Sequence, residues 1–312
     1  MKNYVKVFAP ATVANVGCGF DILGFAVNKP GDVIELMPND IGKVRIVEIS
    51  GDEGKLPKEA DNNTAGVAIH QYLEHLQIKD GIDVKLHKQM PLGSGLGSSA
   101  ASAVAAVFAV NELMEKPLTT QELLPFAMEG ERFACGSAHA DNVAPSLLGG
   151  FVLIRSYDPL DVVKIPTPVN LFCTLVYPHI EIKTRDARDL LKKQILLKDA
   201  VIQWGNIAGL MAGLMQSDYD LIGRSMHDVI IEPIRSILIP GFDKVKAEAM
   251  AAGAIGCGIS GSGPTLFALS SEPLVAEKVG DAMSEVFKKL DIDNNIFVSK
   301  INHTGPQILQ IN

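Results

Sequence analysis

The chain has 312 residues, 47% of them hydrophobic and 21% charged, with a formal net charge of -8. This composition excludes a largely disordered chain, and the acidic balance with scattered lysines and arginines argues against a nucleic-acid-binding surface. The length exceeds what one hydrophobic core usually spans, so we expect two domains.

The cysteines and the N-terminus indicate the compartment. Cys18, Cys135, Cys173 and Cys257 are far apart in the sequence, which predicts neither a zinc site nor a disulfide framework. The first residues do not resemble a signal peptide, and the longest apolar tract, around residues 103–110, is too short to cross a bilayer. We therefore expect a cytoplasmic protein.

The first third of the chain predicts strands with one early helix. Alternating apolar residues bounded by Gly, Pro or Asn predict strands at residues 5–8, 32–37, 44–49 and 83–88. Between the last two, one apolar stripe through Leu76 predicts a helix that begins near residues 62–64. A glycine-rich turn follows the last of these strands.

Two helices are predicted after this turn. Residues 98–114 are mostly Ala, Val and Phe without a breaker, which indicates a helix buried on nearly all sides. A second helix is predicted at residues 120–135, then a polar loop at 139–145 and a strand at 151–154. We expect the first domain to end near this strand.

The second half predicts a sheet covered by helices. Three prolines within residues 157–170 indicate a boundary, so we assign residues 1–158 to an N-terminal domain and 159–312 to a C-terminal one. Strands are expected at residues 171–177, 264–269 and 295–301, and helices within 186–231 and at 243–252 and 272–290.

The glycine-rich turn carries the clearest chemistry. Its residues are Pro91, Leu92, Gly93, Ser94, Gly95, Leu96, Gly97, Ser98, Ser99, Ala100 and Ala101. A strand, three glycines and a helix start place backbone N–H groups at the positive end of a helix dipole, which predicts an anion cradle. A serine hydroxyl in the first helical turn can also ligate Mg²⁺ or donate to phosphate.

Two familiar glycine motifs do not match this turn. A Walker A motif needs a lysine before the final Ser or Thr, and none stands between Gly97 and Ser98. A dinucleotide fingerprint needs G-x-G-x-x-G, whereas the three glycines here are spaced by two throughout. The pattern by itself leaves open a turn shaped only for tight packing of a strand on a helix.

The turn resembles the second motif of the GHMP kinases. Two further segments resemble the other motifs of that superfamily in the expected order: residues 6–17, KVFAPATVANVG, and residues 258–265, GISGSGPT. Within the superfamily, four stretches look most like the homoserine kinase family: GFDILG at 19–24, HADNVAP at 139–145, TRDAR at 184–188 and EPIR at 232–235.

This resemblance implies a fold and an activity. The fold is α+β, with an N-terminal domain like domain 2 of ribosomal protein S5, a C-terminal ferredoxin-like domain and the active site between them. The implied reaction is transfer of the ATP γ-phosphoryl group to the side-chain hydroxyl of L-homoserine, in threonine biosynthesis. The resemblance also implies Mg²⁺ and a homodimer. The charge distribution and the short apolar tracts predict no nucleic-acid or membrane partner.

The resemblance assigns residues to ATP and the metal. Residues 91–101 are expected to bind ATP, and Asn63 to contact the adenine. Ser99 and Glu131 match the Mg²⁺ contacts of the superfamily, a hydroxyl and a carboxylate, and are expected to act in catalysis with Asn142.

The amino-acid substrate needs both a cation and an anion from the protein. Asp21 can accept from its ammonium group, and Arg188 and Arg235 can bind its carboxylate. Without the resemblance, a turn cap would explain Asp21 equally well, and surface ion pairing would be the better explanation of the two arginines. The full predicted set is Asn15, Asp21, His139, Asn142, Thr184, Arg188 and Arg235.

The predicted mechanism has no dedicated general base. The resemblance implies an aspartate base near the mid-chain loop in some superfamily members. Homoserine kinases resemble this chain in having an asparagine there, here Asn142, so we do not expect Asp141 to act as the base. We expect Asn142 to hold the hydroxyl and a phosphate oxygen to accept its proton. Two alternatives stay open: a GHMP kinase for another alcohol such as mevalonate, which has no ammonium group, and a noncatalytic binding regulator.

Overall fold

The strands and helices of the chain form an α+β structure. The computed structural model describes residues 2–136, 139–182 and 184–312, except for the side chains of Cys135, Thr184 and Arg185. The strands are β1 (Val5–Ala14), β2 (Leu23–Asn39), β3 (Val44–Ser50), β4 (Gly81–His87), β5 (Phe151–Tyr157), β6 (Leu160–Ile165), β7 (Phe172–Pro178), β8 (Gly256–Ile259), β9 (Leu266–Ser270), β10 (Asn294–Lys300) and β11 (Gln307–Ile311). The helices are α1 (Thr64–His75), α2 (Ser98–Leu113), α3 (Leu124–Cys135), α4 (Ala140–Leu148), α5 (Thr184–Asp189), α6 (Leu197–Gln216), α7 (Tyr219–Ser225), α8 (Glu232–Arg235), α9 (Phe242–Ala251) and α10 (Pro273–Lys288).

The larger sheet supports the glycine turn. Its strand order is β11-β1-β2-β4-β3, with β5 beside β2 and β6 beside β5. Strands β1 and β2 pair antiparallel with Val7 opposite Ile34, whereas β3 and β4 run parallel. Helix α2 packs against β1 and β2 with its alanines and valines buried. The helix predicted to be buried after the turn is therefore confirmed.

The smaller sheet has its own apolar core. Its order is β10-β7-β9-β8, and every pairing is antiparallel. Helices α9 and α10 pack against it, and Val279, Met283 and Phe287 of α10 are fully buried in an apolar cluster distinct from that of the larger sheet. The strands and helices predicted for the second half of the chain are therefore found.

The larger sheet includes strands from both sides of the predicted boundary after residue 158. Strand β6 pairs with β5, and β11, the last strand of the chain, returns to β1 with Val5 opposite Ile311. The division at residue 158 stays a prediction.

Within the described ranges, no helix is long and apolar enough to span a membrane.

The polar loop predicted at residues 139–145 is wrong, because α4 begins at Ala140. This helix packs on α2, β1 and β2, and its Val143, Ala144 and Leu147 are fully buried. Pro145 lies inside the helix although it cannot donate a backbone hydrogen bond. Burial of the apolar face therefore outweighs the unfavourable local sequence.

Candidate active site

The glycine turn joins β4 to α2 and has the backbone of an anion cradle. Gly93, Gly95 and Gly97 have φ values of 68°, 79° and 69°, in the left-handed region that favours glycine. Gly97 is the N-cap residue of α2. The first N–H groups of a helix have no acceptor within the helix, so this end of α2 can offer donors to an anion.

The third glycine segment, residues 258–265, holds the turn from the other side. The Ser260 hydroxyl donates to the Gly95 carbonyl oxygen over 2.7 Å, and the Thr265 hydroxyl donates to the Ser94 carbonyl oxygen over 2.6 Å. A Cβ on Gly95 would lie 2.6 Å from the Ser260 carbonyl oxygen. The glycine turn is thus held in place by residues 258–265, which are far from it in the sequence.

A buried ion pair that no sequence pattern predicts lies beneath the turn. The Lys88 ammonium group contacts the Asp32 carboxylate, and their side chains are 1% and 0% exposed. Lys88 also donates to the Ser98 carbonyl oxygen over 2.9 Å and the Ser102 hydroxyl over 2.7 Å. The Ser98 hydroxyl donates to Asp32 over 3.1 Å. Buried charges need such partners, and these fix the start of α2 to the sheet.

A cleft of about 290 Å³ opens beside the turn. Most of the residues predicted for ATP, metal and substrate line it: Asn15, Asp21, Asn63, Leu92, Gly93, Ser94, Gly95, Gly97, Ser98, Ser99, Glu131, His139, Asn142, Arg188 and Arg235. Leu96, Ala100 and Ala101 are instead fully buried beneath the turn. Of the predicted ATP contacts, these three therefore support the backbone from the core.

The side chain of Asn142 is oriented by β1. The Thr12 hydroxyl, itself fully buried, donates to Asn142 Oδ1 over 2.8 Å, and the Thr12 amide donates to the Leu96 carbonyl oxygen over 3.0 Å. A Cβ on Gly97 would lie 2.1 Å from the Thr12 hydroxyl oxygen and 2.9 Å from Asn142 Oδ1. With Oδ1 held by Thr12, the amide N–H groups of Asn142 are available to a ligand.

Asp21 and Arg188 form an ion pair at the cleft. One terminal nitrogen of Arg188 lies 2.8 Å from each carboxylate oxygen of Asp21. Asp21 has a φ of 59°, and its amide donates to Asn15 Oδ1 over 3.0 Å. The Tyr157 hydroxyl donates to the Asp21 carbonyl oxygen over 2.9 Å. The loop after β1 is thus held so that Asp21 faces α5.

His139 lies beside this ion pair. Its Nδ1 is 3.5 Å from Arg188 and 3.9 Å from Asp21 Oδ1. Burial and the positive charge of Arg188 lower the pKa of His139, so the imidazole is neutral at neutral pH. A neutral His139 can donate or accept a hydrogen bond without adding charge.

Arg235 extends into the cleft from α8 and is 4% exposed. It donates to the Gly261 carbonyl oxygen over 2.8 Å, whereas its Nε has no hydrogen-bond partner among the residues that the structure describes. The Asp228 carboxylate accepts from the Glu232 amide over 2.8 Å and so caps the short helix. It also accepts from Gln203 of α6 over 2.9 Å. The Asp228 cap was not predicted from the sequence.

The oxygen groups at the helix ends suit a hard divalent cation. Ser99 in the first turn of α2 and Glu131 on α3 both line the cleft. Hydroxyl and carboxylate oxygens are ligands that Mg²⁺ accepts, with phosphate and water completing the shell. Among the described side chains, no three His, Cys, Asp or Glu gather as a ligand set, so an ion here would need those further oxygens.

Asp141 is a buried carboxyl next to the predicted substrate site. It is 2% exposed, and its Oδ1 has no hydrogen-bond partner within the described part of the chain. Burial, reinforced by the negative charges of Asp21 and Glu131, raises the pKa of Asp141 to about 7. A carboxyl in this setting is easily protonated, because its surroundings do not stabilise the negative charge of the ionised form.

The remaining predicted contacts have different outcomes. The Asn63 side chain caps α1 by accepting from the Ala65 amide over 3.0 Å, and donates to the Pro57 carbonyl oxygen over 2.9 Å. Asn63 reaches the cleft, and its contact with adenine stays a prediction. Thr184 begins α5, but its side chain lies outside the described residues.

Models of two protein families match this chain. The model for the GHMP kinases N terminal domain matches residues 63–150, and that for the GHMP kinases C terminal domain matches residues 210–289. The first region contains the glycine turn with Ser99, Glu131 and Asn142, and the second contains Arg235 and the third glycine segment.

Curated relatives match over almost the whole chain. A homoserine kinase from Chlorobium phaeobacteroides strain BS1 is 51% identical, over 98% of this chain and 99% of that protein. A homoserine kinase from Chlorobaculum tepidum is 51% identical, over 98% of both chains. The similarity therefore covers both sheets and every segment of the cleft.

Solved structures match the fold as well. The crystal structure of a homoserine kinase from Cytophaga hutchinsonii superposes with a TM-score of 0.97 at 59% identity, covering 99% of this chain and 98% of that one. A mevalonate kinase from L. major has a TM-score of 0.70 at 17% identity, over 95% and 96% of the two chains. At that identity the second match shows the shared fold alone. The expected GHMP kinase fold is confirmed.

Proposed function

The chain belongs to the homoserine kinase family of the GHMP kinases, and we propose from its site how it phosphorylates the side-chain hydroxyl of L-homoserine to O-phospho-L-homoserine. As a GHMP kinase it is an enzyme that uses ATP as the phosphoryl donor. The observation that carries the substrate assignment is the charged pair Asp21 and Arg188 beside the glycine turn, with Arg235 in the same cleft.

The charges of the cleft complement a zwitterion. The substrate carboxylate binds Arg235, which lines the cleft, and Arg188, whose guanidinium is held by Asp21. The ammonium group binds the Asp21 carboxylate. Charge-assisted hydrogen bonds of this kind are shorter and stronger than neutral ones. Mevalonate lacks the ammonium group and would leave Asp21 without this partner.

The phosphates of ATP bind at the glycine turn and the start of α2. The backbone N–H groups of Gly97 and Ser98 and their neighbours donate to phosphate oxygens, and the dipole of α2 favours their negative charge. Ser99 and Glu131 would hold Mg²⁺. When bound, the ion supplies positive charge that neutralises the phosphate oxygens during transfer.

The transfer step needs positioning more than a base. The homoserine hydroxyl oxygen forms a bond to the γ-phosphorus while the bond from that phosphorus to the bridging oxygen of ADP breaks. The hydroxyl proton passes to an oxygen of the transferred phosphate. An amide N–H of Asn142, oriented by Thr12, donates to the attacking hydroxyl and holds it in line.

The cellular setting and the oligomeric state are further proposals, supported by the family resemblance. We assign the reaction to threonine biosynthesis in the cytoplasm and propose a homodimer. Sedimentation equilibrium of the purified protein tests the dimer, because a single species of one chain mass would overturn it.

The substrate assignment is tested by coupled ADP release with a panel of alcohols. We expect turnover with L-homoserine to exceed turnover with (R)-mevalonate by at least about 100-fold in kcat/KM, because mevalonate leaves Asp21 without its ammonium partner. L-Serine and L-threonine keep both charged groups but have the hydroxyl one carbon closer to them, so we expect a similar loss from misplacement of the attacking oxygen. Preference for mevalonate would identify a kinase of another alcohol. No turnover with any of them would favour the noncatalytic regulator.

A further inference from the structure

One aromatic ring contacts both arginines of the substrate site. Phe20, in the loop between β1 and β2, has the guanidinium carbon of Arg188 5.5 Å and that of Arg235 5.1 Å from its ring centroid. The arginines come from α5 and α8, so the ring joins three segments that are distant in the sequence.

A neutral aromatic ring suits this position. The two guanidinium groups carry like charges, and the face of an aromatic ring attracts cations through its quadrupole. A carboxylate between them would bring them together but would compete with the substrate carboxylate. A phenyl ring attracts both arginines without itself occupying any of their N–H donors.

The backbone fixes the ring relative to the ion pair. Phe20 directly precedes Asp21, and the turn that holds both is closed by hydrogen bonds from the Gly19 amide to the Asn15 carbonyl oxygen over 2.9 Å and from the Leu23 amide to the Gly19 carbonyl oxygen over 2.9 Å. The ring and the carboxylate therefore sit in one rigid loop. Asp21 pairs with Arg188, and the Phe20 ring beside it contacts the guanidinium groups of both arginines.

We propose that Phe20 is a positioning residue for the substrate carboxylate, acting through Arg188 and Arg235. This inference rests on the proposed function, because it takes an amino-acid carboxylate as the ligand of the two arginines. On this proposal, the preference of the site for substrates with a carboxylate depends in part on Phe20, whose side chain has no polar atom.

The proposal predicts a change in selectivity when the π face is removed. Phe20→Leu keeps an apolar side chain, and we expect it to raise KM for L-homoserine about 10-fold through loss of two cation–π contacts. KM for ATP should stay within about twofold, because the residues that bind phosphate are untouched. Phe20→Tyr should retain most of the affinity for homoserine.

An alcohol without a carboxylate separates positioning from stability. 3-Aminopropan-1-ol is homoserine without its carboxylate, so Phe20→Leu should reduce kcat/KM for homoserine about 10-fold while changing that for 3-aminopropan-1-ol less than about twofold. Phe172→Leu is the matched control, because Phe172 stacks with Lys300 at 5.5 Å on the smaller sheet. We expect this control to leave kcat/KM unchanged for both homoserine and 3-aminopropan-1-ol.

Three outcomes would contradict the inference. Equal losses of kcat/KM with both alcohols in Phe20→Leu would make Phe20 a structural residue. Wild-type kinetics in Phe20→Leu would show that the ring has no role in binding. Loss of homoserine affinity in Phe20→Tyr as large as in Phe20→Leu would exclude the π face as the cause. Circular dichroism checks that each variant is folded. If the wild-type enzyme does not phosphorylate homoserine at all, the proposed function fails instead.

Discussion

Thr12 and Asn142, 130 positions apart in the sequence, are joined by a hydrogen bond of 2.8 Å from the threonine hydroxyl to the asparagine side-chain oxygen. This bond decides which end of the Asn142 amide faces the substrate. Thr12→Val keeps the shape but removes the donor, so we predict a loss of about 10-fold in kcat. Steady-state kinetics with both substrates saturating measures it.

Thr12→Ser is the control for this prediction. Serine retains the hydroxyl and should keep kcat within about threefold of wild type. Both variants should bind ATP with little change. Unchanged kcat in Thr12→Val would mean that the amide orientation does not limit the transfer.

Loss of the metal ligands should change the dependence on Mg²⁺. In Ser99→Ala and Glu131→Gln, the Mg²⁺ concentration for half-maximal activity should rise by about 10-fold or more, because a carboxylate or hydroxyl oxygen is lost from the shell. Glu129→Gln on the same helix is the control, since Glu129 pairs with Arg132 at the surface. Wild-type Mg²⁺ curves in both site variants would contradict the metal assignment.

Asp141→Asn tests whether a carboxylate base is needed. A general base typically contributes about 10²-fold or more, and without that role the variant should lose less than about 10-fold in kcat. A loss of about 10³-fold in a folded variant would make Asp141 the base. The pH profile of kcat, measured alongside, should keep its shape in the variant.

The same carboxyl predicts a pH dependence of stability. Its pKa is raised to about 7 in the folded chain, so the folded state binds a proton more tightly than the unfolded state. Wild-type stability should therefore decline relative to Asp141→Asn as pH rises from about 4 to about 7, by at most about 1.4 kcal/mol per pH unit. Urea unfolding of both proteins across this range measures the difference, and a constant difference would contradict the raised pKa.

The Asp228 cap should influence homoserine more than ATP. Asp228→Ala removes the acceptor that holds the start of α8, and we predict an increase of about 5-fold in KM for homoserine through displaced Arg235. Asp218→Ala is the matched control, because Asp218 caps α7 through the Leu221 amide at 2.8 Å. A KM change of the same size in both variants would indicate general destabilisation.

Much of the fold follows from local sequence patterns. The alternation in β4, the glycine turn and the breaker-free α2 are each fixed by neighbouring residues, and all are found where predicted. Helix α4 was missed because its stability comes from packing on α2 and the sheet, whereas Pro145 locally indicates a loop. Strand β11 was missed because its pairing with β1 joins opposite ends of the chain.

The site could be predicted only in part, because local motifs identify some of its residues and contacts across the fold bring in the others. Motif residues such as Asp21, Asn142 and Arg235 were expected, and they line one cleft. The Lys88 and Asp32 pair, the orientation of Asn142 by Thr12 and the contact of Phe20 with two arginines depend on contacts across the fold. A lysine at the end of a strand is usually solvated, so its burial could not be inferred from its position.

The proposed reaction moves the γ-phosphoryl group of ATP to the homoserine hydroxyl. Phosphorus NMR of a reaction containing the protein, Mg·ATP and L-homoserine tests it most directly. We predict that ADP and one new phosphomonoester appear in equal amounts, with the ester phosphorus coupled to methylene protons. ADP accompanied only by inorganic phosphate would contradict phosphoryl transfer to homoserine. No ADP above the control without homoserine would contradict it as well.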